Sequence, residues 1–153
     1  MSLLNQKTIK NSVSFSGIGL HSGKPVKICV KPSSPDTGIV FKRIDLKDNN
    51  LIYPNFMNVS NTALNTTISN SDGVKVSTIE HLMGALFGIG IDNALIEIDN
   101  EEVPILDGSA KVFIEKILTA GLELSNKPIK IIKIKKKLNL KIVINLFQLS
   151  PQS

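Results

Sequence analysis

Ser77-Thr78-Ile79-Glu80-His81-Leu82-Met83-Gly84-Ala85-Leu86-Phe87-Gly88-Ile89-Gly90 is where the hydrophobic period of this chain changes. Ile79, Leu82, Met83, Leu86 and Phe87 recur at i, i+3, i+4, i+7 and i+8, one apolar stripe of an α-helix. Ser77, followed three residues later by Glu80, has the form of a capping box, and Gly88 and Gly90 end the helix. The same stretch sets a carboxylate beside an imidazole at the helix start. A metal-dependent hydrolase needs such a pair, one group to hold a metal and one to move a proton.

Before this stretch the chain reads as strands and turns. Val13-Ser14-Phe15-Ser16 alternates and meets Gly17-Ile18-Gly19. Val26 to Val30 alternates and ends at Lys31-Pro32, and Gly38 to Ile44 is a third run. Leu64 to Ile68 and Val74-Lys75-Val76 are shorter candidates, with Asp72-Gly73 as a hairpin turn between them. After the helix, Ala94 to Ile98 reads as a strand. Asp107-Gly108-Ser109 opens a second helix with stripe Ala110, Phe113, Ile114, Ile117 and Leu118, closed by Gly121. Ile129 to Ile134 reads as the last strand. Two helices with one apolar stripe each must cover one face of the sheet. The expected fold is α+β, a two-layer sandwich with a largely antiparallel sheet.

A length of 153 residues fits one domain, or one domain with a tail, and 42% hydrophobic content is enough for a core. With no Trp and 5% aromatics, Ile, Val and Leu must do the packing. The net charge of +5 is concentrated near the end, at Lys127, Lys130, Lys133, Lys135, Lys136, Lys137 and Lys141. Such a run reads first as a solvated or aberrant tail. A nucleic-acid surface would carry interleaved aromatics or a binding motif, which are missing. Cys29, the lone cysteine, is expected as a buried core thiol, compatible with a reducing compartment. The first residues lack a signal peptide's apolar core, and no run is long enough to cross a membrane as a helix. A soluble, cytoplasmic protein is expected.

The chemistry-bearing residues each have a plain structural alternative. Glu80 suits the third position of a capping box, and a single His beside an apolar stripe suits a structural role as well as a ligand's. Zinc sites need three or four ligands, and H-E-x-x-H is absent because position 84 is Gly. His21 lies in Gly17-Ile18-Gly19-Leu20-His21-Ser22-Gly23, whose glycines permit tight turns or a close approach to a ligand. The spacing is not that of a dinucleotide fingerprint. Asp107 reads as a helix cap or loop brace, or as part of an anion site at a helix start.

Four segments stand in one order: Gly17 to Gly23, Ser77 to Leu82, Gly90-Ile91-Asp92-Asn93, and Val103-Pro104-Ile105-Leu106-Asp107-Gly108-Ser109-Ala110. Together they resemble the UDP-3-O-acyl-N-acetylglucosamine deacetylases, zinc enzymes of lipid A (lipopolysaccharide) biosynthesis in Gram-negative bacteria. The resemblance covers about residues 5 to 134. It implies removal of acetate from a UDP-linked, 3-O-acylated N-acetylglucosamine, with Zn2+ as cofactor. It implies His81 as a metal ligand and Glu80 as the catalytic general base. It also implies that Leu20, His21, Thr62, Leu64 and Asn65 lie close to the substrate.

Members of that family have two similar α+β domains, and their remaining zinc ligands and a further catalytic His lie in the second. Those residues are not in this chain. From Lys135 onward the sequence reads like translation in a shifted frame. The resemblance therefore implies an N-terminal deacetylase-like domain over 1–134, an aberrant basic tail over 135–153, and a second domain missing. Such a chain is expected to be inactive, or nearly so, by itself. The alternative is a non-catalytic remnant or regulatory fragment that binds the nucleotide sugar or the full-length enzyme.

Overall fold

The computed structural model describes residues 4–135, 138–142 and 145–149. A five-stranded sheet lies at its centre. Its strands are β2 (Val13–Ile18), β3 (Pro25–Pro32), β4 (Ile39–Arg43), β5 (Leu51–Ile52) and β9 (Ala94–Ile98), in the order β2-β3-β9-β4-β5. Every pairing in it is antiparallel except β4 with β9. β1 (Asn5–Ile9) pairs antiparallel with β10 (Leu122–Pro128), and β6 (Val59–Asn61), β7 (Thr67–Ser69) and β8 (Lys75–Val76) form a small antiparallel sheet. The helices are α1 (Glu80–Ile89) and α2 (Lys111–Ala120). Near the end, β11 (Leu138–Ile142) and β12 (Asn145–Leu149) pair as an antiparallel hairpin. The result is the α+β sandwich that the changing hydrophobic period requires.

Alternation along the strands decides which face of the sheet the helices cover. Val26, Ile28 and Val30 of β3 stand on one face, and Ile28 and Val30 lie opposite Ile98 and Ile96 of β9. Across the parallel ladder Phe41 is in register with Ile96. These side chains, with Phe15 and Ile52, share one buried cluster with Leu82, Ala85 and Leu86 of α1 and Phe113 and Ile117 of α2. Phe15 and Phe113 meet ring to ring at 5.0 Å, joining β2 to α2. The other face is polar enough to meet water, with Lys31 and Glu97 paired at 2.7 Å.

Four expectations are corrected by this arrangement. Cys29 sits on the face of Lys27 and Lys31 and is only half-buried, because a period of two sends it away from Ile28 and Val30. Ile129 to Ile134 is not a strand; the strand that follows α2 is β10, which ends at Pro128. β1 begins at Asn5, which pairs with Pro128, so the ladder ends there, and Ile131 and Ile132 are exposed. Leu64 is exposed and outside any strand; β7 starts only at Thr67, because Asn65 turns its side chain onto Thr67 Oγ1 and holds a loop. Phe87 lies on the helical stripe but is 87% exposed, and Leu118 is also exposed. The apolar stripe of α1 is therefore wider than the part that the core of the described residues covers.

Phe113 and Phe87 should thus behave oppositely. Phe113→Ala should cost about 3–5 kcal/mol in urea unfolding, as for a fully buried aromatic. Phe87→Ala should stay within about 0.5 kcal/mol of the unmodified chain, as for an exposed site. Equal losses would contradict the packing.

Candidate active site

Three segments meet at the N-terminal end of α1. They are the turn after β2, the connection from β6 to β7, and Asn100–Val103, which runs beside Ser77. Ser77 N–H donates to Glu101 O (2.9 Å) and Val103 N–H to Ser77 O (3.0 Å), a short parallel bridge. Between the segments lies a polar cleft of about 470 Å³, lined by His21, Asn61, Asn65, Ser77, Glu101 and Glu102 among others.

The capping box expected at Ser77 and Glu80 does not form. α1 begins at Glu80 itself, after Ile79, whose backbone is already helical. Ser77 is too far back to cap, and its hydroxyl donates to Glu101 O (3.1 Å). Glu80 is a first-turn residue, where a negative charge is favoured by the helix dipole. Its Oε2 accepts the backbone N–H of Thr66 (3.1 Å), and Ile79 N–H reaches Thr66 O (3.4 Å). Glu80 is therefore oriented by the β6–β7 connection rather than by its own helix.

Between Ser77 and Ile79 the chain turns sharply. Thr78 has φ +56°, a left-handed conformation that a β-branched residue adopts at a cost of roughly 1–3 kcal/mol. What holds it there is its buried hydroxyl, which donates to Glu102 Oε1 (2.9 Å) and accepts from Asn65 Nδ2 (3.2 Å). The Glu102 carboxylate, 2% exposed, also accepts the backbone N–H groups of His21 (3.0 Å) and Ser22 (2.8 Å). Burial opposes its ionisation, but these donors outweigh burial and hold the carboxyl below the usual glutamate range. Gly19 makes this approach possible, since a Cβ there would collide with the Glu102 carboxylate and Ser22 Oγ.

His81 is half-buried on the first turn of α1, and its Nδ1 is buried with no hydrogen-bond partner among the described residues. A buried ring nitrogen without a partner suits a histidine whose surroundings are completed by another group. Among the described residues, however, no three His, Cys, Asp or Glu side chains are grouped to hold a metal. His81 offers one imidazole, and the described residues do not add the further ligands that a zinc site needs.

The other candidate residues are placed unevenly. Asn65 is joined to Thr78 and Thr67, and His21 is exposed and lines the cleft while its backbone is tied to Glu102. Leu20 and Leu64 are 60% and 84% exposed, and Thr62 is exposed in the same connection. Asp107 is a loop brace: its carboxylate accepts from Ser109 N–H and Oγ (3.0 Å), and Ser109 Oγ accepts from Lys111 N–H (3.1 Å) at the start of α2. Sequence reasoning missed the roles of Thr78 and Glu102. The only signal for Glu102 is a carboxylate next to the apolar Val103-Pro104-Ile105-Leu106, which spacing rules do not single out.

The family model for LpxC, UDP-3-O-acyl N-acetylglycosamine deacetylase, matches residues 6–153. The chain belongs to this deacetylase family. Among its relatives is the UDP-3-O-acyl-N-acetylglucosamine deacetylase of Teredinibacter turnerae, 47% identical over 139 residues, which are 91% of this chain and 46% of that protein. The protein of the same name from Pseudoalteromonas atlantica is also 47% identical over 139 residues, with the same coverage. That from Citrifermentans bemidjiense is 49% identical over 134 residues, 88% of this chain and 44% of the relative. The chain thus spans a little under half the length of the curated deacetylases it matches. No helix among the described residues is long and apolar enough to cross a membrane.

Glu102 sets a pH dependence for the fold. Its pKa is lowered on folding, so its contribution is complete above the unfolded glutamate value and is lost as pH falls through the lower folded value. Asp45, held down by the Arg43 guanidinium, acts in the same direction. Unfolding free energy from urea titrations should therefore fall as pH drops below about 4.3. Stability that rises over that interval would contradict these contacts.

Proposed function

We propose that this chain carries one part of the active site of a zinc-dependent deacetylase, acting on a UDP-3-O-acylated N-acetylglucosamine in lipid A biosynthesis. The observation that supports this reading is the Glu80–His81 pair on the first turn of α1. Glu80 is oriented by a backbone N–H from a separate segment, and His81 has a buried nitrogen with no partner among the described residues. The names of the relatives give the substrate class.

The chemistry expected is hydrolysis of an acetamide. Zinc, held in part by His81, would supply Lewis acidity towards the amide carbonyl. Glu80 takes a proton from the attacking water as the new C–O bond forms. As the C–N bond breaks it returns that proton to the leaving amine, giving acetate and a free amino sugar. The Thr66 N–H fixes one carboxylate oxygen and so limits the directions in which Glu80 can act. His21 and Asn65 offer polar groups beside the cleft, and Leu20, Leu64 and Thr62 lie open on the segments flanking it. A substrate built on a uridine nucleotide suits a cytoplasmic location.

The remaining ligands would come from the half of the relatives' length that this chain does not span. That half is proposed to cover the open face of α1, where Phe87 is exposed and a Cβ added at Gly84 or Gly88 would meet only open space. The same helix presents His81, so one docking event would both bury the apolar face and complete the metal site.

Activity and self-association both test this reading. The purified 153-residue chain with stoichiometric zinc should give no measurable acetate release from the nucleotide sugar. Once the second half is supplied as a separate polypeptide, activity should appear, and Glu80→Gln should lower its kcat roughly 10²–10⁴-fold. Turnover by the chain alone would overturn the half-site reading. Light scattering should show self-association as concentration rises, because the α1 face is uncovered, and a clean monomer at high concentration would count against it.

A further inference from the structure

Glu102 is not one of the residues that the resemblance assigns a role, yet this buried carboxylate is hydrogen-bonded directly to His21 and, through Thr78, to Asn65. Its two oxygens accept from donors on two separate segments. Oε1 takes His21 N–H and Thr78 Oγ1–H, and Oε2 takes Ser22 N–H. One segment carries Leu20 and His21, and the other leads within two residues to Glu80. Asn65 reaches the same Thr78 hydroxyl, so the β6–β7 connection joins the network from a third side.

A role limited to stabilising one loop does not account for two features. The first is Thr78, a β-branched residue held at φ +56° although glycine would adopt that conformation without strain. A threonine there supplies the hydroxyl that donates to Oε1, and the backbone strain is the cost of placing it. The second is Gly19, where any Cβ would meet the carboxylate. The turn is shaped to let Glu102 in, and the approach to α1 is strained to reach it.

We propose that Glu102 is a positioning residue that clamps the Leu20–His21 turn to the Thr78 approach of α1 and so sets the spacing between that turn and the Glu80–His81 pair. This rests on the reading of Glu80, His81 and His21 as site residues. The carboxylate touches no reacting atom and acts through backbone geometry. It is acceptor-only when ionised, which matches three converging donors. A glutamine of the same shape would turn an N–H₂ towards at least one of them.

Amide hydrogen exchange and ¹H–¹⁵N spectra of the intact chain test this with Glu102→Gln, Gly19→Ala and, as a control, Val103→Ala. Val103 is buried next to Glu102 and its side chain makes none of the clamp's bonds. In Glu102→Gln the exchange of the His21 and Ser22 amides should rise roughly ten- to a hundredfold, as expected on losing hydrogen bonds to a charged group. Resonances of Thr78 to His81 should move with them, while those of Ile28 and Ile96 in the central sheet stay in place. Gly19→Ala should give the same two-site pattern with the carboxylate's charge retained. Unchanged exchange at His21 and Ser22 would overturn the proposal. So would a response confined to the turn, or the same pattern from Val103→Ala. Failure of the deacetylase reading would instead appear as absent activity in the completed protein, with these amide readings intact.

Discussion

The N-terminal end of α1 has no side-chain cap of its own, and the site depends on what replaces one. An uncapped helix start leaves backbone N–H groups without intrahelical partners and a first turn free to fray. Here the turn is held from outside. The bridge between Ser77 and Glu101–Val103 fixes the approach, Thr78 is locked by Glu102, and the Thr66 backbone meets Ile79 and Glu80. Helix start, Gly-rich turn and β6–β7 connection are therefore parts of one hydrogen-bonded unit. Glu80 and His81 inherit their placement from that unit rather than from helix propensity.

Behind the unit stands a core that is indifferent to chemistry. β3 and β9 supply aligned apolar faces, and α1 and α2 close over them. The second face of α1 is another matter. Gly84 and Gly88 leave it smooth and Phe87 leaves it apolar, and among the described residues neither property is used for packing. A helix that presents its chemical residues and an uncovered apolar strip together is suited to a site completed by a further body.

Much of this is legible in the residues. The change of period at Ile79 announces α1, the β3 and β9 alternations announce the sheet, and Gly90 and Gly121 close the helices as expected. β1 is not legible, because Asn5-Gln6-Lys7-Thr8-Ile9 is mostly polar and becomes a strand through its partner, β10. The Ser77–Glu80 spacing promises a local cap, and tertiary contacts win instead. Cys29 falls on the face opposite to the expected one because its apolar neighbours obscure the strict alternation. Glu80, His81 and His21 are visible as types in a pattern, and Asn65 enters only through the resemblance. Glu102 and Thr78 are not, since their roles come from contacts across 80 and 24 positions of sequence that no local spacing encodes.

In the proposed reading His81 is one ligand of a metal site that the described residues do not complete. Zinc titration by calorimetry, on the chain and on His81→Ala, tests it most directly. A complete structural zinc site binds with about 10–16 kcal/mol at neutral pH, and one imidazole with a neighbouring carboxylate falls far short of that. The account predicts weak binding that His81→Ala abolishes. Tight, stoichiometric binding by the chain alone, or binding indifferent to His81→Ala, would contradict it.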